Sequence, residues 1–310
     1  MRAQGARAQL ALAFETDYGV PPASGYTRMP FATATLAAGQ PLLASELLGF
    51  GRDPVAPVLD VITADGDVVI PVDEHAIGMW LKAAFGAPTT TGEDPYTHEF
   101  ASGAWELPSM TIEVGMPEVP HFARYPGCMV DQFSWTMQRG GLLTATARVI
   151  AQGEDVFAAS QAGSLTGVYE RRFGHFNGSI KREGVALANL VSAEVAYQNN
   201  LDRVETIRGD GKIDGADPSM AALSGRIDVR FADTTLIDQA VAGESCAMEF
   251  GWTSASGASL TFEVPAVYLP RPRKELQGPG GVQCTFEWQA AQSPGEPMCR
   301  VRLVNDREAY

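Results

Sequence analysis

Apolar and polar residues alternate with a period of two along most of this chain. Val68-Ile70-Val72, Ile112-Val114, Phe133-Trp135-Met137, Ile227-Val229-Phe231, Phe262-Val264 and Phe286-Trp288 each set their apolar members on one side. That is the pattern of half-buried β-strands. Two stretches, 74–85 and 234–242, change to a helical period. Each follows an aspartate placed to cap it, Asp73 or Asp233, and each stops at a glycine, Gly86 or Gly243. Between the strands, 48–66, 115–129, 199–224 and 265–281 are rich in Gly, Pro and charge and read as long loops.

The elements recur in order. "SMTIEVGMP" (109–117) is answered by "ASLTFEVPA" (258–266), and "VDQFSWTMQ" (130–138) by "VQCTFEWQ" (282–289). The strand and helix of "GDVVIPVDEHAIGMWLKAAFG" (66–86) return as "GRIDVRFADTTLIDQAVAG" (225–243), and "LLASELLGFGR" (42–52) as "NLVSAEVAYQN" (189–199). The spacing is about 150 residues each time, the mark of an internal duplication. It predicts a mainly β chain of two similar β-sandwich or partial-barrel domains, 1–155 and 156–310, each with one flanking α-helix. Long loops and terminal arms at 1–25 and 290–310 complete this expectation.

Composition fits. Charged residues are 19% of the 310, below the usual ~25%, while 32 Gly and 20 Pro exceed their usual share, as in a turn-rich protein with much shared surface. A net charge of −14 argues against a free-standing binder of duplex DNA, which must neutralise phosphates. Cys128, Cys246, Cys284 and Cys299 form no CxxC pair and read as reduced structural thiols. The apolar run near Ile77–Phe85 is too short to span a bilayer. The N-terminal "MRAQGARAQLALAFETDYG" has a single short apolar run stopped by Glu15 and Asp17, so it reads as an arm and not as an export leader.

Candidate chemistry is sparse. "DGKIDGADPSMA" (210–221) imitates a calcium loop through Asp210, Asp214 and Asp217. Lys212 occupies a ligand position, however, and Ala221 stands where the bidentate Glu belongs. The four histidines show no metal-ligand spacing, and no nucleophile elbow, P-loop or dinucleotide fingerprint is present. "PRPRK" (270–274) and "ERR" (170–172) read as surface or subunit contacts. Glu113 and Glu263 fall at matching places in the repeat, on the polar side of their strands, so duplication explains them better than a glycosidase pair does. The sequence therefore predicts no enzyme, no cofactor and no metal.

"FETDYGVPP" (14–22), "SELLGFGR" (45–52), the strand and helix of 66–86 and "LPSMTIEVG" (107–115) together resemble the major tail tube proteins of long, non-contractile-tailed bacteriophages. The resemblance implies β-sandwich domains that form rings, and rings that stack into the hollow conduit for DNA ejection. A duplicated member would form a trimeric ring of pseudo-sixfold symmetry. Its partners would be itself, a tape measure protein and viral DNA in the lumen, and terminator and baseplate or distal tail proteins at the ends, with no membrane. Such a protein is assembled in the host bacterial cytoplasm and resides in the virion. On this reading Glu113 and Glu263 line the lumen, and Asp202, Arg203, Arg208, Asp210, Lys212, Asp214 and Asp217 form a ring-stacking loop. A monomeric carbohydrate-binding or adhesin-like double sandwich and a tail terminator are the alternatives.

Overall fold

The computed structural model describes residues 2–163, 165, 171–273 and 280–310; Glu170 and Lys274 of the two basic runs lie outside them. The described chain is mainly β. Its first part contains β1 (Gln9–Phe14), β2 (Thr27–Arg28), β3 (Thr33–Ala34), β4 (Ala37–Gly39), β5 (Leu42–Leu43), β6 (Val58–Leu59) and β7 (Thr63–Pro71). These are followed by α1 (Ile77–Phe85), β8 (Thr89–Thr91), β9 (Tyr96–Ala101), β10 (Met110–Met116), β11 (His121–Gln138), β12 (Thr144–Ala151) and β13 (Asp155–Phe157). The second part contains β14 (Gly178–Arg182), β15 (Val185–Ala186), β16 (Leu190–Gln198), β17 (Asp202–Val204), β18 (Gly215–Asp217) and β19 (Ala222–Arg230). Then come α2 (Thr235–Ala242), β20 (Cys246–Thr253), β21 (Ser259–Tyr268), β22 (Gln283–Ala290) and β23 (Arg300–Asn305).

The order of pairings repeats. In the first part β2 pairs with β1, β1 with β10, and β10 with the start of β11, whose other edge takes β13. In the second, β15 pairs with β14, β14 with β20, and β20 with β21, whose other edge takes β23. The far ends of β11 and β21 change partners, leading through β12 to β7 and through β22 to β19. A short hairpin, β5–β6 or β17–β18, precedes β7 or β19, and a helix follows it. Among the described residues, the β8–β9 hairpin has no counterpart in the second part; it caps the edge of β23.

Against this frame, one of the four sequence matches is in register. β7–α1 and β19–α2 are equivalent, as 66–86 and 225–243 predict. The Thr-Ile-Glu-Val strand is β10, whose counterpart is β20, whereas the Thr-Phe-Glu-Val strand is β21, the counterpart of β11. Likewise Phe133 and Trp135 lie on β11 but Phe286 and Trp288 on β22, and 189–199 matches 30–40, not 42–52. Amphipathic strands resemble one another, so a short match slips by one strand; a strand, an aspartate, a helix and a glycine in succession occur once per repeat.

Other expectations need adjusting. Stretch 115–129 is mostly strand, because β11 begins at His121, and the supposed arms supply β1 and β23. The helices start later than expected and the aspartates are not their caps: α1 is capped at Ala76 and α2 at Thr234, neither through a side chain. Asp73 Oδ1 instead accepts from the His75 and Ile77 amides at 2.9 and 3.2 Å, and Asp233 Oδ1 from the Thr235 amide at 2.9 Å.

The two parts meet in one sheet. β11 pairs with β16 from Gln132↔Gln198 to Gln138↔Ser192, giving the continuous order β4–β7–β12–β11–β16–β19–β22. One buried cluster draws on both parts, including Trp80, Phe85, Trp135, Tyr197, Phe262 and Trp288. Within it Phe85 stacks on Tyr197 with ring centroids 4.3 Å apart.

Candidate functional site

The surfaces that single themselves out are two hairpins, a charged ladder and a groove. The β17–β18 hairpin carries the seven residues expected to form a stacking loop, and its base is held by the same chain. Arg203 pairs with Asp65 on β7, Lys212 Nζ reaches Asp155 Oδ1 at 3.3 Å, and the Ile62 amide donates to the Gly211 carbonyl at 3.2 Å. Ala216, with Leu201 and Ile213 beside it, packs on Met129 and Ile150, on the side of β11 and β12 turned away from the main core.

Nearer the tip, the calcium-loop imitation resolves into a cation's partners. Arg208 takes Asp210 through Nε and Nη2, at 2.9 and 2.8 Å, and also pairs with Asp214. The Arg208 guanidinium holds the Asp210 carboxyl well below the usual carboxylate range, and hydrogen bonds from Thr206 and Arg208 lower that of Asp214. Among the described residues, no cluster of His, Cys, Asp and Glu is arranged to hold a metal ion. Asp202 and Asp217 face each other across the ladder, and Ile207 stands fully exposed at the apex.

Glu113 does not meet water. Both sides of β10 are covered, one by the main core and the other by residues 159–162 and Tyr26. Ser160 Oγ donates to Glu113 Oε1 at 2.6 Å and the Gln161 amide to Oε2 at 2.7 Å. The alternation pattern could not reveal this second layer, because it is built by a segment distant in sequence. Glu263 is half-exposed and ion-paired: Arg302 Nη1 lies 2.8 Å from its Oε1 and Arg302 Nη2 lies 3.3 Å from Glu99 Oε2. With Lys181 and Glu249, 2.7 Å apart, these groups form a charged ladder across β14, β20, β21, β23 and β9. The pair expected from the repeat is therefore one buried and one neutralised carboxylate, on strands that are not equivalent.

The sequence reading took 48–66, like 199–224, for a stacking loop and did not see the first hairpin. β5–β6 and its connection expose Leu42, Leu43, Leu48, Phe50, Val58 and Leu59, an apolar concentration uncommon on a solvated surface. The run "LLASELLGF" was a visible signal, hidden by the loop reading of 48–66. A groove over Tyr268, Leu269, Ser224, Gly225, Trp288 and Gln289 was likewise invisible, since four strands and a turn build it.

The N-terminal stretch "FETDYGVPP" is anchored by Glu15, whose carboxylate accepts from the Gly19 and Gly127 amides and the Ser109 and Thr111 hydroxyls at 2.6–2.9 Å. In a comparison with known families, the model described as "Phage tail tube protein" matches residues 5–290. Comparison with curated proteins finds no match.

Proposed function

The chain belongs to the phage tail tube protein family, and on that basis we propose that it forms rings which stack into the tube of a long, non-contractile tail and conduct DNA during ejection. It acts as a structural protein and not as an enzyme. A ring contains three chains, each contributing two similar domains, 1–155 and 156–310, to a pseudo-sixfold circle. A tape measure protein and then DNA occupy the lumen, terminator and distal tail proteins meet the ends, and assembly takes place in the host cytoplasm.

The observation that carries the trimer is the β11–β16 ladder. It joins two sets of strands with the same pairing order edge to edge, so the chain already contains one lateral contact of the kind a ring must repeat. Head-to-tail contacts of this sort close when the rotation fits. The open sheet edge that would invite uncontrolled pairing in a monomer becomes the ring contact. An excess of negative charge suits a conduit that must not bind phosphate. The exposed tip of the β17–β18 hairpin, around Ile207, is the part of the predicted stacking loop free to reach another ring. Cryo-electron microscopy of the purified chain tests the reading: stacked rings of three chains are expected, and a true sixfold ring of whole chains, or a persistent monomer, overturns it.

A further inference from the structure

We infer that the β5–β6 hairpin of one copy seats in the groove over Tyr268 and Gln289 of a second copy, reproducing between chains the contact that β17–β18 makes within the chain. The inference rests on the ring reading above and names the surfaces that close the ring.

The ladders define the equivalence. Ala34↔Val68 on β3–β7 matches Ala193↔Ile227 on β16–β19, and Ala37↔Asp65 matches Ala196↔Ser224. Continuing along the chain, Leu42 takes the place of Leu201. On the other side, Ile150↔Met129 matches Gln289↔Tyr268. Within the chain, Leu201 and its hairpin cover Met129 and Ile150, and both are 5% exposed. Among the described residues, nothing covers the corresponding pieces of the second contact. Leu42 is 63% exposed, Tyr268 is 45% exposed and Gln289 is exposed, and an open groove lies over the last two.

The helices show the same difference. α1 buries eight of its nine residues, partly beneath second-part groups: Asn199 Nδ2 donates to the Ala84 carbonyl at 3.0 Å and Tyr197 stacks on Phe85. α2 buries only Leu236 and Ile237, leaving Val241 exposed. An apolar hairpin without a seat and a seat without a hairpin, at matching positions of one chain, fit a second copy of that chain. A head-to-tail contact between them repeats around a ring and hides both. The exposed Tyr268 ring gives Leu42, Val58 and Leu59 an apolar surface to cover; Leu269 and Trp288 line the groove but are themselves buried, beside Glu194, Arg226 and Glu287.

The test places Leu42→Cys and Gln289→Cys in one chain and treats the assembled protein with a short bis-maleimide. Within a chain β4, which leads into the hairpin of Leu42, and β22, which carries Gln289, are separated by six strand spacings, roughly 30 Å along the sheet at ~4.8 Å per strand, and the four native cysteines are buried. The expected product is a covalent ladder ending at three chains, with each single variant giving at most a trace of dimer. Leu42→Asp with Leu59→Asp should leave the folded monomer and its melting temperature unchanged and reduce ring formation at least tenfold. Rings or tubes that form without a cross-link, or that survive the double aspartate change, overturn the hairpin contact and leave the tube reading standing. Failure of the unmodified chain to form rings at any concentration overturns that reading, and this inference with it.

Discussion

Gly66 on β7 and Gly225 on β19 hold the same place in the two parts of the chain, each beneath the preceding strand. A Cβ on Gly66 would lie 2.5 Å from the Leu36 nitrogen, and one on Gly225 would lie 2.1 Å from the Glu194 carbonyl oxygen. Both neighbours are backbone, which cannot swing aside. Gly66→Ala and Gly225→Ala should each cost about 1–3 kcal/mol, the usual penalty of overpacking. Urea unfolding of the two variants checks this, and two neutral results would remove the close approach as the reason for glycine.

The two glutamates should part company on substitution. Glu113→Lys places a cation where Ser160 and the Gln161 amide donate, so it should destabilise by about 3–5 kcal/mol, as when a buried charge loses its partner. Glu263→Lys loses a half-exposed pair with Arg302 and should cost about 1 kcal/mol or less. Denaturation midpoints decide it. Equal losses would contradict the burial of Glu113.

The Arg208 cluster carries a pH signature. Asp210 is held below its ordinary value in the folded chain, so its contribution is fully present above the unfolded aspartate value near ~3.9 and is lost as pH falls towards the lower folded value. The tip should therefore keep its geometry at pH 4 and loosen only in stronger acid. Arg208→Ala should move Asp210 up towards its ordinary range. Carboxyl chemical shifts followed by NMR titration read both effects; an Asp210 that titrates normally beside Arg208 would sink the claim.

Ile207 tests the stacking role of the tip. It is fully exposed, so Ile207→Asp should leave stability within about 0.5 kcal/mol while slowing tube growth from preformed rings. Light scattering during polymerisation, beside a thermal melt, is the measurement. Removing 204–220 is a poorer probe, because it would also uncover Met129 and Ile150.

The cysteines should be silent. All four are buried; burial pushes the Cys299 thiol up to about 12 and raises those of Cys128 and Cys246. Since the thiolate is the reactive form, maleimide at pH 8 should label none in the folded chain and all four in denaturant. Labelling of a native thiol before unfolding would contradict the packing.

The sequence by itself determined the local elements. Val68, Ile70 and Val72, then an aspartate, a helical run and Gly86, settle a strand, a helix and a stop from neighbouring residues alone, although the helix is capped at Ala76 and not at Asp73. The same succession around Asp233 and Gly243 is enough to reveal a repeat. Those signals are short-ranged, because alternation, capping and left-handed stops are properties of consecutive residues.

Tertiary structure decided which strand answers which and what covers each face. Glu113 looks solvated on β10 until residues 159–162 lie over it. Leu42 and Leu201 look like loop residues of equal standing until Leu201 finds Met129 and Ile150 beneath it while Leu42 stays exposed. A period-two pattern says that two faces differ, but not what lies against either one. Strand order and coverage come from contacts between residues far apart in sequence, and those exist only once the chain has closed on itself.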